Sequence, residues 1–388
     1  MSGIAPTLEA LKRLIAFDTT SRNSNLQLID WVEDYLRARG VASVRVADEA
    51  GGKANLMALV GPQVEGGVVL SGHTDVVPVD GQAWASDPWT VEERDGKLYG
   101  RGVADMKSFI AIALAHVDEM LAAKLKRPII LAFSYDEEIG CLGAPGMIRE
   151  LMKTLPAPSA AIIGEPTDMK VVSAHKGITS FTATVEGREA HSSQINQGVS
   201  AIGEALKLMN FVTELSAEAQ ARAKAQDDGL FSPPGATMTI GLVEGGTALN
   251  ILAKRCSFGF DLRSPDPEET EAMAKRVFEA AAALDKEIKA RAPEGGVTLV
   301  RRPIPPPPLK ATPNSAAEVL ARALTGDNGV TGAAYAAEAG LFQRAGVPAV
   351  LCGPGSILQA HQPDEWITLA QIEAGALFMR RLIAHLAA

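Results

Sequence analysis

The stretch VVLSGHTDVVPV, residues 68–79, runs apolar and β-branched to Leu70, breaks at Ser71 and Gly72, and then presents His73 and Asp75. A short apolar run that ends in glycine reads as a strand. An ordinary turn has no need of a histidine and an aspartate two residues apart, so the end of this strand is itself a candidate site.

Working outward, the chain up to about residue 176 alternates short apolar strands with helical stretches. Helices are predicted over TLEALKRLIAF, LQLIDWVEDYLRARG and MKSFIAIALAHVDEMLAAK, and strands over GVVLSG, PIILAFSY and SAAIIG. This alternation predicts an α/β domain with a parallel or mixed sheet covered by helices. After Lys176 the pattern changes. GITSFTATVEGREAHSS alternates as a strand, and a helix follows from about Gly198 to Ser216. Then come the strands ATMTIGLVEGG and CSFGFDLRS, a helix from about Pro267 to Arg291, and a last strand GVTLVRR. The β-α-β-β-α-β order is that of a ferredoxin-like α+β sandwich inserted into the first domain. The stiff run PIPPPPLK, residues 303–310, marks the return. A helix near SAAEVLARAL, the strand VPAVLCG and the helix LAQIEAGALFMRRLIAHLA complete the larger domain. The predicted domains are thus 1–176 with 303–388, and 177–302. A chain of 388 residues is long enough for two cores.

The net charge of −9 argues against nucleic acid or an anionic membrane as partner, since either would need a basic face. Small molecules are the expected ligands. The segment MSGIAPTLEALKRL lacks a basic-then-apolar secretory pattern, and no apolar run approaches the ~20 residues of a membrane span, so a cytoplasmic location is expected. Cys141, Cys256 and Cys352 are far apart and in no paired spacing, which suits a reducing compartment and argues against a thiolate-held metal.

In open α/β sheets ligands sit outside the carboxyl ends of the strands. His73 follows VVL, Glu137 and Glu138 follow IILAFSY, Glu165 follows AAIIG, and His361 follows PAVLCG after the loop GPGSILQA. Asp105 stands in the glycine-rich loop YGRGVADMK before a long helix. Singly, each reads as a solvated acid or a packed histidine. Together, imidazoles and carboxylates without cysteine are the donor set of a catalytic zinc or similar divalent site. Three carboxylates and one hydroxide balance two divalent ions, whereas a single ion leaves the cluster over-supplied with acid. A site of His73, Asp105, Glu138, Glu165 and His361 is therefore predicted to hold two. Asp75 is suited to take the other ring N–H of a metal-bound His73. If Glu137 and Glu138 keep extended geometry they point opposite ways, so one can hold metal while the other serves the reacting water as general base.

The segments SGHTDVVP, LYGRGVADMKS, DEEIGCLGA, GEPT, EGREAHSS and GPGSILQAHQPDE resemble a family of zinc-dependent amidohydrolases and peptidases. It includes the acetylornithine deacetylases, succinyl-diaminopimelate desuccinylases, aminoacylases and carboxypeptidase G-type enzymes, and the resemblance runs over essentially the whole chain. It implies a zinc-peptidase-like catalytic domain with two zinc ions, cobalt being able to substitute. His73 and Glu165 would hold one ion, Glu138 and His361 the other, Asp105 would bridge them, and Glu137 would be the base. It also implies an inserted dimerisation (lid) domain that forms a homodimer and supplies His191 across the interface to stabilise an oxyanion, and a cis peptide after Asp105. Within the family, AAYAAEAGLFQRAGVPAVLCGPGSILQAHQPDE and AHKGITSFTATVEGREAHSS look closest to the deacetylases of N-acetyl-L-ornithine. That substrate is expected, with another N-acyl amino acid, or the free N-terminus an aminopeptidase requires, as the alternatives. Asn250 carries over as a hydrogen-bond donor, although Ala253 stands where a proline is common. Arg263, at the end of CSFGFDLR, is suited to a bidentate hold on the substrate carboxylate. Glu338, in YAAEAG, is suited to receive the cationic side-chain amine.

Overall fold

The strand Val68–His73 lies inside a mixed sheet, between Ile129–Ser134 and Ala160–Pro166, and is parallel to both. Ala349–Gly353 runs parallel to Ala160–Pro166 on the far side. All four strands are buried along their whole length, which is why they read as near-continuous apolar runs. The computed structural model describes residues 3–227, 229–302 and 306–388. Its full sheet has eight strands, in the order Ser43–Ala47, Ala54–Val60, Ile129–Ser134, Val68–His73, Ala160–Pro166, Ala349–Gly353, Val172–His175, Thr331–Ala333.

Sequence reading passed over the antiparallel ribbon Ser43–Ala47 and Ala54–Val60, although Gly51, with φ +70°, and Gly52 mark its turn. It also passed over the helix Ala144–Thr154, which begins on a proline and buries Met147, Ile148 and Leu151. The predicted long helix after Asp105 is two helices, Lys107–Ala115 and Val117–Ala122. They break at His116, whose Nδ1 donates to the Ile112 carbonyl at 2.8 Å. The first of these helices presses on the sheet at Gly164. A Cβ there would come within 2.0 Å of the Phe109 ring, so the close approach requires glycine. A small antiparallel sheet of Glu92–Arg94, Lys97–Tyr99 and Trp366–Thr368 pairs Trp366 with Tyr99.

The chain divides into two compact units. One runs to Ala174 and returns over Ala311–Thr331 and Ala337–Ala388; the other is His175–Lys310 with Gly332–Ala336. The second unit is a four-stranded antiparallel sheet in the order Thr237–Gly245, Arg255–Ser264, Gly177–Glu186, Gly296–Arg301. Gly177–Glu186 alternates buried and open positions, as a strand covered on one side must. Its core holds Phe181, Val185, Leu208, Phe258, Val277 and Leu284. The helix Ala201–Lys224, capped by the Ser200 hydroxyl, extends past the predicted Ser216; the helix Pro267–Lys289 is capped by the Asp266 carboxylate. Of the predicted proline boundary, residues 303–305 lie outside the described residues. Leu309 exchanges both backbone hydrogen bonds with His175, at 3.0 and 3.1 Å. No helix among the described residues is long and apolar enough to cross a membrane.

Candidate metal and catalytic site

His73 is the last residue of its strand, opposite Ser134 in register, and is buried. Its Nδ1 lies 2.9 Å from the Asp75 carbonyl oxygen. A carbonyl can only accept, so Nδ1 carries the proton and Nε2 keeps its lone pair when the ring is neutral. Nε2 lies 3.0 Å from Asp105 Oδ1 and hydrogen-bonds to it when the ring is protonated. The Asp75 carboxylate was expected to take the ring proton, but it lies farther from Nδ1, at 3.7 Å. It accepts instead from the Glu137 N–H at 3.0 Å, the Glu138 N–H at 3.3 Å and the Ser21 hydroxyl at 2.7 Å.

The reason is local. The strand Ile129–Ser134 stops before the acidic pair, Asp136 adopts φ +56°, and the N–H groups of Gly140 and Cys141 both donate to the Glu137 carbonyl. The pair therefore opens a turn and does not continue an extended chain, which aims two consecutive amides at Asp75. The side chains still diverge. Glu137 Oε2 is 4.0 Å from His73 Nε2, and Glu138 Oε2 is 3.0 Å from His361 Nε2. His361 Nε2 also lies 3.3 Å from Asp105 Oδ2, so the Asp105 carboxylate stands between two imidazoles. Glu165 is buried at the end of its strand. Two sets of donor atoms fall within 4.8 Å of one another: His73, Glu137 and Glu165, and His73, Asp105 and Glu138. The Asp105–Met106 peptide is cis.

Electrostatics show what this cluster lacks. Burial, reinforced by neighbouring carboxylates, pushes Glu137 and Glu165 well above the usual carboxyl range and Glu138 above it. Burial would lower His73, but its bond to Asp105 and the surrounding acids hold it well above the usual imidazole value. His361 is pushed up to about 10 by Asp105 and Glu138. Against its burial, Asp105 is held well down by the two histidines. These opposed shifts mark a surplus of buried negative charge around two imidazoles. Divalent cations would balance that surplus, and the oxygen and imidazole donors fit them.

Glu338 is also buried. Its Oε2 accepts from the Ser71 hydroxyl at 2.9 Å and its Oε1 from the Ser134 hydroxyl, which ties together the two strands that carry His73 and the acidic pair. It is neither an exposed acid nor a carboxylate open to a substrate amine. The remaining candidates lie on the smaller unit. His191 is exposed and accepts at Nδ1 from the Ser193 hydroxyl at 2.8 Å and the Ser193 N–H at 3.2 Å, which leaves its proton on Nε2. Asn250 is exposed beside it: its carbonyl accepts from the Ser192 N–H at 2.9 Å. Arg263, half-buried at its strand end, donates from Nε to Asp261 at 3.1 Å. Sequence reading gave no role to Ser21, to Lys53, which pairs with Asp136, or to Glu365 and Arg101. Acids and bases in loops carry no sequence mark of burial.

The chain matches the model of Peptidase family M20/M25/M40 over residues 69–385. It is 34% identical over 380 residues to the acetylornithine deacetylase of Proteus mirabilis (strain HI4320), covering 97% of this chain and 94% of that one. Among solved structures it is similar to a tripeptidase of Staphylococcus aureus, with a TM-score of 0.76 at 21% identity over 98% of each chain. It is also similar to a dinuclear metal-binding peptidase of Bacillus subtilis, with a TM-score of 0.61 at 12% identity over 99% of this chain and 98% of that one.

Proposed function

We propose, on the premise that this chain belongs to peptidase family M20/M25/M40, that it removes the acetyl group of N-acetyl-L-ornithine, giving L-ornithine and acetate. The chain is a hydrolase of amide bonds. The observation that carries the reading of the site is the Asp105 carboxylate set between His73 and His361, with Glu137, Glu138 and Glu165 at the same sheet edge. The choice of substrate rests on likeness to the Proteus deacetylase over nearly the full length of both chains.

Two divalent cations, zinc with cobalt as substitute, would be held by His73 and Glu165, by Glu138 and His361, and by Asp105 between them, and when bound they acidify water and polarise a carbonyl. The protein's own residues do the rest. Glu137 takes a proton from the attacking water and passes it to the leaving amine. Asp75, through the two amides it holds, keeps Glu137 aimed. His191, with its proton on Nε2, is a donor for the developing oxyanion. Arg263 holds the substrate carboxylate and Asn250 adds a hydrogen bond.

The chain acts on a small molecule in the cytoplasm, and as a homodimer through its smaller unit. The edge strand Thr237–Gly245, which exposes Leu242 and Val243, supports that pairing. Chelation and dialysis should abolish turnover, and zinc or cobalt should restore it. A release assay over N-acetyl, N-succinyl and N-formyl amino acids should favour acetylornithine. Full activity in metal-free protein, or a preference for succinyl-diaminopimelate, would overturn the proposal.

A further inference from the structure

One buried carboxylate outside the metal-holding set is bonded to the segments that present two of its members. Glu365, only 1% exposed, receives four donors: the Arg101 guanidinium at 2.7 Å, Gly102 N–H at 3.1 Å, Ala104 N–H at 2.8 Å and Asp105 N–H at 3.1 Å. Its own carbonyl accepts from Gly100 N–H at 3.0 Å. The loop that ends in Asp105 is thus wrapped around a side chain from four residues beyond His361.

The other end of the same ion pair reaches His361. Arg101 Nη2 donates to Gln82 Oε1 at 2.6 Å, and Gln82 Nε2 donates to the His361 carbonyl at 2.9 Å. Arg101 Nη1 also lies 3.3 Å from the Gln362 carbonyl. His361 has φ +65° and its side chain is half exposed, so packing alone does little to hold it. Adjacent to Glu365, Trp366 pairs with Tyr99 and fixes the same two segments in register.

Stability is a poor reason for such a pair. Both side chains are 1% exposed, and desolvating two charges costs about as much as their attraction returns. Among the described residues Arg101 Nε even has no hydrogen-bond partner. What the pair does provide is position. We propose that Glu365 is a positioning residue, holding Asp105 and, through Arg101 and Gln82, His361 in their places within the set that would bind metal. This rests on the metal reading of the site given above.

The test is zinc affinity, read by calorimetry on metal-free protein whose fold is verified by circular dichroism well below its melting midpoint. Glu365→Gln keeps the shape but turns an NH₂ group toward donors, so the Asp105 loop must shift. Zinc affinity should fall roughly ten- to a hundredfold, as it does when partners of metal ligands are lost. A residue that served stability alone would lower the midpoint and leave the affinity of the folded chain unchanged. If Glu365→Gln does not fold, Arg101→Lys is titrated instead. Its point charge cannot span Glu365, Gln82 and the Gln362 carbonyl, and a loss of roughly threefold or more is expected. Unaltered affinity in the folded variant overturns the proposal. Wild-type protein that takes up no zinc overturns the metal reading, and this inference with it.

Discussion

Glu137 and Glu138 are neighbours in sequence with unlike surroundings. Glu138 meets His361 at 3.0 Å, while Glu137 is 4.0 Å from His73 and accepts from the Cys141 thiol at 3.4 Å. Replacing Glu137 with alanine should leave zinc uptake nearly intact and cut turnover by roughly 10²- to 10⁴-fold, as for a lost acid-base group. Replacing Glu138 should weaken one zinc instead. Equilibrium dialysis beside steady-state kinetics separates the two, and identical behaviour in both assays would sink the division of labour. His175 gives a prediction of a different kind. Fully buried and bonded at Nδ1 to the Lys176 carbonyl, it is pushed down to about 4 by burial. Below the ordinary value of 6.5 the unfolded chain takes up a proton that the folded chain refuses. Its contribution is therefore neutral above pH 6.5 and destabilising as pH falls towards 4, by on the order of 3 kcal/mol. Urea midpoints for wild type should drop over that window more steeply than for His175→Asn; parallel curves would refute this. At this scale the residues proposed to hold metal were legible as candidates because each one follows an apolar strand or precedes a helix. The work of Asp75 was not, since it depends on the left-handed turn at Asp136; Glu365 drew no role and Glu338 was read as open to a substrate amine, because burial leaves no local mark in sequence.

Strand ends deliver the cluster, so the elements beneath it must be rigid. The helix Lys107–Ala115 starts two residues after Asp105 and bears on Gly164, one residue before Glu165. A methyl group at 164 would lie 2.0 to 2.4 Å from three atoms of the Phe109 ring, closer than real contacts allow. Gly164→Ala should therefore push the helix off the sheet, costing about 1–3 kcal/mol for overpacking and weakening zinc uptake, since Asp105 and Glu165 both move. Phe109→Leu in the same chain should recover part of both losses. Gly146→Ala is the control. That position lies inside the helix Ala144–Thr154, its new methyl would meet nothing closer than 3.8 Å, and helix propensity predicts a gain of up to about 1 kcal/mol. If thermal midpoints rank these variants otherwise, the packing argument fails. The buried parallel strands were easy to read in sequence because unbroken apolar runs of about six residues have few other uses. The ribbon Ser43–Ala47 was harder, because SVRVA places Arg45 in an exposed strand that no core-facing run announces. The helix Ala144–Thr154 was hidden by the functional residues crowded ahead of it.

Across the whole molecule, the residues proposed for the reaction are distributed over two units of one chain. The larger holds every proposed metal-holding residue and Glu137, while His191, Asn250 and Arg263 belong to the smaller. An exposed histidine that presents an Nε2 proton contributes to the reaction only if it meets a substrate carbonyl near Glu137, either in its own subunit or from a partner. The two cases differ in a mixing experiment. His191→Ala and Glu137→Ala proteins should each be inactive alone. If His191 acts across a two-fold interface, a mixed dimer carries both defects in one site and neither in the other. Random exchange of equal amounts makes half the dimers mixed, and half the sites in those are intact, so activity should return to about a quarter of wild type. If His191 serves its own subunit, every site in the mixture carries one defect and nothing returns. Native mass spectrometry shows whether subunits have exchanged. With exchange established, silence in the mixture would rule out donation from the partner, and a monomer at assay concentration would remove the dimer itself.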